Sequence, residues 1–159
     1  MAHVFRGELV GIYVAPVEGE PMEVRGEARL IENVGIDGDR YATSAGKFSR
    51  DRRGGRQVTL IEREAVESAA REHDLELDVA ETRRNLVTAG VPLNHLVGRD
   101  FRIGDVVLRG VRVAEPCAYL EDLVGRDGLR TALVHRGGLR ADVVAGGVVR
   151  SGDVVEPLG

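Results

Sequence analysis

The sequence predicts a mainly β, barrel-like domain with a few short α-helices. The 159 residues include 21 glycines, a content that favours many tight turns over long helices. Aromatic residues make up only 4% and tryptophan is absent, so the core must be built from aliphatic side chains. Short apolar runs alternate with turn residues, as in closed or nearly closed barrels. The length fits one domain spanning residues 1–159.

The first part of the chain contains two predicted strands and two loops. Phe5–Val14 and Met22–Asn33 mix β-branched and polar residues, which predicts a strand in each case. Pro16–Pro21 separates them with proline, glycine and glutamate, a connection typical of a loop. Gly35–Arg40 is rich in turn residues. Thr43–Gly55 is polar and basic without periodicity, and loops of such length often have a function or are disordered.

The middle of the chain contains the clearest helix. Gln57–Ile61 is a short apolar strand, after which the period changes. In Glu62–His73 the apolar residues fall on one helical face and the charged residues lie opposite. Val91–Leu96 follows a Gly-Val-Pro turn, and the valine-rich Phe101–Val113 alternates as a strand or hairpin does.

The last part of the chain predicts two short helices followed by strands. Leu120–Val124 and Leu129–Val134 each have the length of a short helix, and Leu139–Val155 consists of strands separated by glycine turns. The pattern of Arg102–Val107 recurs at Arg150–Val155, with Gly-Asp between two apolar runs. We interpret this recurrence as one structural corner used twice.

Charge and cysteine content exclude several classes of function. A net charge of -4 argues against binding nucleic acid through phosphate neutralisation. Lys47 is the only lysine, so almost all positive charge comes from arginine. No run is long enough for a membrane span, and Met1–Val10 does not resemble a signal peptide. One cysteine forms no internal disulfide, and we therefore expect a cytoplasmic protein.

Cys117 is the residue best suited to carry chemistry. It directly follows Pro116, which ends the preceding strand, and it precedes a predicted short helix. At a helix N-terminus the dipole lowers the pKa of a thiol and favours the thiolate. A thiolate accepts sulfane sulfur as a nucleophile or binds a soft metal such as molybdenum. The alternative is a small, buried apolar side chain.

The second candidate group is Arg83-Arg84-Asn85. In an extended segment the two arginines point to opposite faces, so that one enters a pocket and the other faces solvent. Arg84 and Asn85 together suit a phosphate or the edge of a pterin, because charge-assisted hydrogen bonds hold such groups well. The alternative is a surface arginine paired with Glu81.

Two further segments are candidates for binding. Gly35–Arg40 resembles a metal-binding turn but lacks the ligand spacing of a calcium loop. Asp39 and Arg40 are therefore either direct ligands or a structural pair that locks the loop. Arg56 is a further candidate for anion binding. The four histidines are scattered and form no zinc-type cluster with the single cysteine.

Several segments taken together resemble the MOSC family, the module named for the C-terminal part of molybdenum cofactor sulfurases. Each motif is weak alone, but their common order makes the resemblance specific. The segments are Gly35–Tyr41, Arg56–Ile61, Arg84–Leu86, Phe101–Val106, Glu115–Cys117 and Gly146–Asp153.

The resemblance implies a mostly β fold and binding of the molybdenum cofactor, molybdopterin. It implies that Cys117 carries a persulfide or ligates molybdenum. It also implies that Arg84, Asn85, Asp39 and Arg40 lie near the cofactor. The extra β-barrel, pyridoxal phosphate and ferredoxin modules of larger members have no counterpart in these residues, so we expect an external donor of electrons or sulfur.

Two functions of different class follow, and the residues alone do not separate them. The first is a cofactor-binding protein that acts with an electron-donor reductase on N-hydroxylated compounds. The second is a sulfur carrier that receives sulfur from a cysteine desulfurase on Cys117 and passes it to a cofactor or metal-sulfur acceptor. As an enzyme it would be a molybdenum-dependent oxidoreductase component or a sulfur transferase. A third possibility is an interaction barrel with a core cysteine.

Overall fold

The computed structural model describes residues 4–42 and 54–158. Of the predicted loop Thr43–Gly55, all but Gly54 and Gly55 lies outside the described residues. The strands are β1 (Gly7–Val14), β2 (Glu23–Arg25), β3 (Glu27–Ile31), β4 (Gly35–Ile36), β5 (Val58–Glu62), β6 (Leu86–Ala89), β7 (Asp100–Ile103), β8 (Val106–Val113), β9 (Leu139–Ala145), β10 (Gly147–Arg150) and β11 (Val154–Pro157). The helices are α1 (Arg63–His73), α2 (Ala118–Val124) and α3 (Leu129–Ala132), with 3₁₀ turns at Val79–Thr82 and Leu93–Leu96.

The main sheet closes into a barrel because β1 pairs with both β6 and β11. The described strands run around the barrel in the order β11, β7, β8, β9, β5, β6 and β1, and β2 adds to β1 outside the ring. Neighbours are antiparallel except β5 and β6, which are parallel and are connected through α1. The predicted fold class, mainly β and barrel-like with short helices, is confirmed.

A second, three-stranded sheet contains β10, β3 and β4. The prediction of a single strand over Met22–Asn33 was wrong, because β2 joins the barrel sheet whereas β3 pairs with β10. Gly26 lies at the break, and its carbonyl accepts a hydrogen bond from the Ser151 N–H at 3.1 Å. The chain therefore leaves one sheet and enters the other at this residue.

Mostly aliphatic side chains fill the barrel, together with the aromatic Phe101, which is the largest fully buried side chain among the described residues. A second apolar cluster lies between the barrel wall and α1, α2 and α3. The predicted helix is confirmed as α1, which buries Ala65, Val66 and Ala69 and ends at Asp74 in the left-handed conformation. No helix in the described part of the chain is long and apolar enough to cross a membrane.

Both copies of the Gly-Asp motif form a turn with glycine at positive φ, although the first joins paired strands of the barrel and the second joins the two sheets. Gly104 (φ 56°) joins β7 to β8, and Gly152 (φ 99°) joins β10 to β11. The corners lie side by side, since the Gly104 N–H donates to the Val154 carbonyl at 3.0 Å. Positive φ at both positions explains why glycine occurs in both copies.

Candidate functional site

A cleft opens at one end of the barrel, where β6 and β9 begin and β8 ends. Leu60 of β5 is in register with the first residues of β6 and β9, Leu86 and Leu139, which places these ends at the same level. The cavity holds about 40 Å³ in its interior and about 480 Å³ with the open space at its mouth. It is lined by Glu18, Gly19, Arg40, Tyr41, Arg83, Arg84, Glu115, Cys117, Tyr119, Leu120 and Arg140.

Cys117 lies where the sequence predicts it, after β8 and directly before α2. Its backbone is extended (φ −131°, ψ 168°), and its carbonyl accepts the Glu121 N–H at 3.1 Å, which starts the helix. The side chain is half-buried: it packs against the second apolar cluster and also lines the cleft. A thiol in this position is fixed by the scaffold and still reachable from the cleft.

Arg84 is fixed to the floor of the cleft. Its Nε–H donates to the Gly137 carbonyl at 2.7 Å, and its Nη2 donates to the Ala114 carbonyl at 3.0 Å. A Cβ on Gly137 would lie 2.2 Å from the Ala114 oxygen, so only glycine allows these two segments to meet. Burial, together with the charge of nearby Arg140, lowers the pKa of Arg84 to about 10.

Arg83 enters the same cleft, which contradicts the expected alternation. The segment is not extended here: Arg83 ends the 3₁₀ turn Val79–Thr82 in the left-handed conformation, with φ 59°. Its Nη1 donates to the Glu20 carbonyl at 2.7 Å. Glu81, the partner considered in the surface interpretation, caps the same 3₁₀ turn and lies 3.9 Å from Arg126.

Arg40 borders the cleft on the side of the turn that follows β4. It donates to Asp39 Oδ1 at 3.2 Å and to the Arg83 carbonyl at 3.3 Å. Its guanidinium carbon lies 4.5 Å from the centroid of the Tyr41 ring, a cation–π contact. These contacts tie the Asp39-Arg40-Tyr41 segment to the Arg83-Arg84 segment.

Tyr41 and Arg140 are cleft residues that the sequence analysis missed. Burial alone would raise the pKa of the Tyr41 phenol, but the charges of Arg40 and Arg140, a hydrogen bond from Arg140, and the charge of Arg84 together lower it. Burial lowers the pKa of Arg140. Tyr41 adjoins the quoted Asp39-Arg40 motif, which could have identified it. Arg140 comes from β9 and has no local motif.

Asp39 and Asn85 form a buried network beneath the cleft and do not line it. Asp39 Oδ1 accepts from the Ala15 N–H at 3.0 Å and from Asn85 Nδ2 at 3.2 Å. Asn85 Oδ1 accepts from both the N–H and the hydroxyl of Thr59, each at 3.1 Å. The arrangement locks the turn to the barrel, as in the structural alternative for Asp39. The proposed cofactor contacts of Asp39 and Asn85 stay predictions.

The remaining candidates lie around the cleft. Arg56 is buried just before β5, and its charge acts on Arg140, although Arg56 is not among the lining residues described. Its cofactor contact also stays a prediction. The exposed His135 donates its N–H to Glu115 at 2.9 Å. Within residues 4–42 and 54–158, no three His, Cys, Asp or Glu side chains gather as a metal site.

The cleft carries an excess of positive charge. Among the described lining residues, four arginines face two carboxylates, those of Glu18 and Glu115. Glu18 accepts the Tyr119 hydroxyl at 3.0 Å, and Glu115 is held by His135. Fixed guanidinium groups bind oxyanions, and a thiolate binds soft metals or sulfane sulfur. The site therefore suits a ligand that combines an anionic group with soft-metal or sulfur chemistry.

The fold and the cleft together define a small β-barrel protein with a cysteine beside a cluster of four arginines. The family model for the MOSC domain matches residues 36–156, and the chain belongs to this family. The matched range includes Cys117, the four cleft arginines, and Asp39 and Asn85 of the buried network. The resemblance stated from the sequence motifs is therefore confirmed.

Solved structures share the fold. The YuaD protein from Bacillus subtilis superposes with a TM-score of 0.77 at 18% identity, covering 98% of this chain and 97% of that chain. YiiM from Escherichia coli has a TM-score of 0.64 at 19% identity, with coverage of 99% and 71%. YiiM from Geobacillus stearothermophilus has a TM-score of 0.69 at 13% identity, with coverage of 96% and 75%. A search of the curated proteins finds no match.

Proposed function

We propose that this chain binds the molybdenum cofactor in the cleft, with the Cys117 thiolate as a ligand of molybdenum. The observation that carries the proposal is that one cleft holds both the thiol and four arginines. The cofactor presents a soft metal and a phosphate, and those two groups need a thiolate and fixed guanidinium donors. Its bound metal supplies two-electron redox chemistry.

The residues of this chain hold and orient the ligand. Arg84 keeps its guanidinium in place through two backbone carbonyls, and Arg83 does so through Glu20. Side chains that are ordered before binding lose little entropy when the anion arrives. Cys117, at the N-terminal side of α2, would provide its sulfur as the soft ligand of the metal. An external reductase would provide electrons for the reduction of an N-hydroxylated compound.

The first test measures molybdenum by elemental analysis and pterin by fluorescence after oxidative release. Wild type from a cofactor-producing host should contain both in near-stoichiometric amounts. Cys117→Ser should lose molybdenum, because a hydroxyl is a harder and weaker ligand. Arg84→Met should lose both molybdenum and pterin. Arg130→Met is the matched control, since Arg130 is an exposed arginine of α3 outside the cleft lining described.

Two outcomes would contradict the proposal. Equal molybdenum in Cys117→Ser and wild type would exclude direct ligation by the thiolate. Absence of both metal and pterin from wild type, purified from a host that makes the cofactor, would exclude tight binding.

A sulfur carrier is the second candidate function, and the accessibility of the thiol favours it. Cys117 is half-buried and faces an open cleft, so a partner's persulfide can approach. The Cys117 thiolate would attack the outer sulfur of a cysteine desulfurase persulfide. One S–S bond forms, another breaks, and the desulfurase thiolate leaves, so no outside oxidant is needed.

Intact-mass analysis tests the carrier function. After incubation with a desulfurase and cysteine, wild type should gain one sulfur atom, reversible by a reductant, and Cys117→Ser should gain none. An unmodified wild type, with the desulfurase shown to be active on a small thiol, would exclude the carrier function.

A further inference from the structure

Tyr41 has an unusual position in the cleft. The side chain is 8% exposed, and its backbone N–H donates to Asp39 Oδ2 at 3.2 Å, which fixes where the ring stands. The ring lies against the Arg40 guanidinium, and Arg140 donates a hydrogen bond to the hydroxyl oxygen. No acceptor for the hydroxyl's own proton is found among the described residues. The phenol can therefore donate to a ligand.

The positive charges around Tyr41 also affect whether the phenol keeps its proton. Arg40, Arg84 and Arg140 all stabilise the phenolate, and for this reason the pKa of Tyr41 is lowered in spite of burial. A bound oxyanion would compensate the same arginines and would be repelled by a phenolate. The other titratable or charged groups of the cleft are Glu18, Arg83, Glu115, Cys117 and Tyr119.

We propose that Tyr41 is an anion-binding residue of the cleft: its neutral hydroxyl donates to an oxyanion held by Arg84 and Arg140, and anion binding is coupled to keeping that proton. The ligand class is a doubly charged tetrahedral oxyanion, either free or as the terminal phosphate of a larger molecule. The inference deepens the proposed function and rests on it only for which molecule carries the oxyanion.

The direction of the coupling between anion binding and the ionisation of Tyr41 follows from the charges. The anion prefers protein with protonated Tyr41, so saturating anion raises the pKa of the phenol. Conversely, anion affinity falls as pH rises through the pKa of Tyr41, by up to about tenfold per pH unit if the phenolate form does not bind. Tyr41→Phe removes the donor and the titration together. Its affinity should be about tenfold weaker, the loss expected for one hydrogen bond to a charged group, with little dependence on pH.

Sulfate is the probe, because it stays a dianion at every pH below the ordinary pKa of tyrosine at which the protein would be titrated. Calorimetry measures its affinity, and the ultraviolet absorbance of tyrosinate measures the phenol. Cys117→Ser protein is titrated beside wild type, so that any contribution of the thiol to the signal is removed. Tyr13→Phe is the matched control, since Tyr13 lies outside the cleft lining described.

The expected result is an early tyrosinate transition that sulfate moves to higher pH, present in wild type and Tyr13→Phe and missing in Tyr41→Phe. Persistence of the early transition in Tyr41→Phe, or no effect of sulfate on wild type, would overturn the inference. The wild-type titration needs no variant, so misfolding of Tyr41→Phe cannot decide the result. Neither the calorimetry nor the ultraviolet titration uses molybdenum, so the outcome of both is independent of whether the chain binds the cofactor.

Discussion

The cleft and the network beneath it use neighbouring residues in opposite ways. Asp39 and Asn85 are fully buried, and protein partners satisfy their polar atoms. Arg40 and Arg84 adjoin them in sequence and line the cleft. In each pair one residue anchors the chain, and its neighbour presents a positive charge to the cleft. The comparison shows that a motif can combine a buried structural residue with a residue that lines the cleft.

The energetic consequences of the two regions differ. A buried network loses stability when one member is removed, because the partners left behind keep their desolvation cost. Burial of charged groups in the cleft costs the fold stability: burial first, and then the charge of Arg140, lowers the pKa of Arg84. Variants of the network should therefore change stability, and variants of the cleft should change binding.

The largest effect is expected for Asp39→Ala. The substitution leaves the Arg40 guanidinium buried without its carboxylate and frees the Ala15 and Tyr41 N–H groups. The free energy of unfolding should fall by about 3–5 kcal/mol, measured by urea denaturation. Asp127→Ala, at an exposed position, should stay within about 0.5 kcal/mol of wild type. Equal stability of the two variants would contradict a structural role for Asp39.

Asn85→Leu should lower the free energy of unfolding by about 2–3 kcal/mol. Leucine has a similar volume, but it cannot replace the hydrogen bonds that the Asn85 side chain makes with the Thr59 donors and the Tyr13 carbonyl. The double variant Asp39→Ala/Asn85→Leu should lose less free energy of unfolding than the sum of the losses in the two single variants, because Asp39 and Asn85 share a hydrogen bond. Urea denaturation of all three proteins measures the coupling. Strict additivity would show that the two side chains act independently.

Arg83→Gly should leave stability within about 1 kcal/mol of wild type. Glycine relieves the left-handed backbone, which offsets loss of the bond to the Glu20 carbonyl. Sulfate binding, measured by calorimetry, should weaken about tenfold, as expected for loss of a charged hydrogen-bond donor. A loss of stability as large as that of Asn85→Leu would place Arg83 with the network instead of the cleft.

The smallest effect concerns the dependence of stability on pH. Because folding lowers the pKa of Tyr41, ionisation of the phenol stabilises the folded state. This contribution is fully present above the ordinary pKa of tyrosine and is lost as pH falls through the lowered value. Wild type should therefore gain stability over Tyr41→Phe as pH rises towards about 10. Denaturation at several pH values tests this, and a constant difference would contradict it.

Much of the fold followed from the sequence because it depends on local patterns. The change from strand to helical periodicity located α1 within one residue of Glu62–His73. The repeated Gly-Asp pattern predicted a turn in each copy, and both glycines have positive φ, but only the first turn joins strands that pair with each other. The break at Gly26 and the strand β6 were missed, because the pairing of short strands depends on which partners the rest of the barrel offers.

The sequence by itself determined the β-rich class, the helix α1, the family and the position of Cys117 directly before a short helix, since these depend on composition, periodicity and ordered motifs. Only the tertiary structure decided which side chains meet. Barrel closure brings Arg140 from β9 beside Tyr41, and a left-handed turn at Arg83 sends adjacent arginines into one cleft. Contacts between residues distant in the chain depend on backbone register and dihedral angles, which local patterns do not specify.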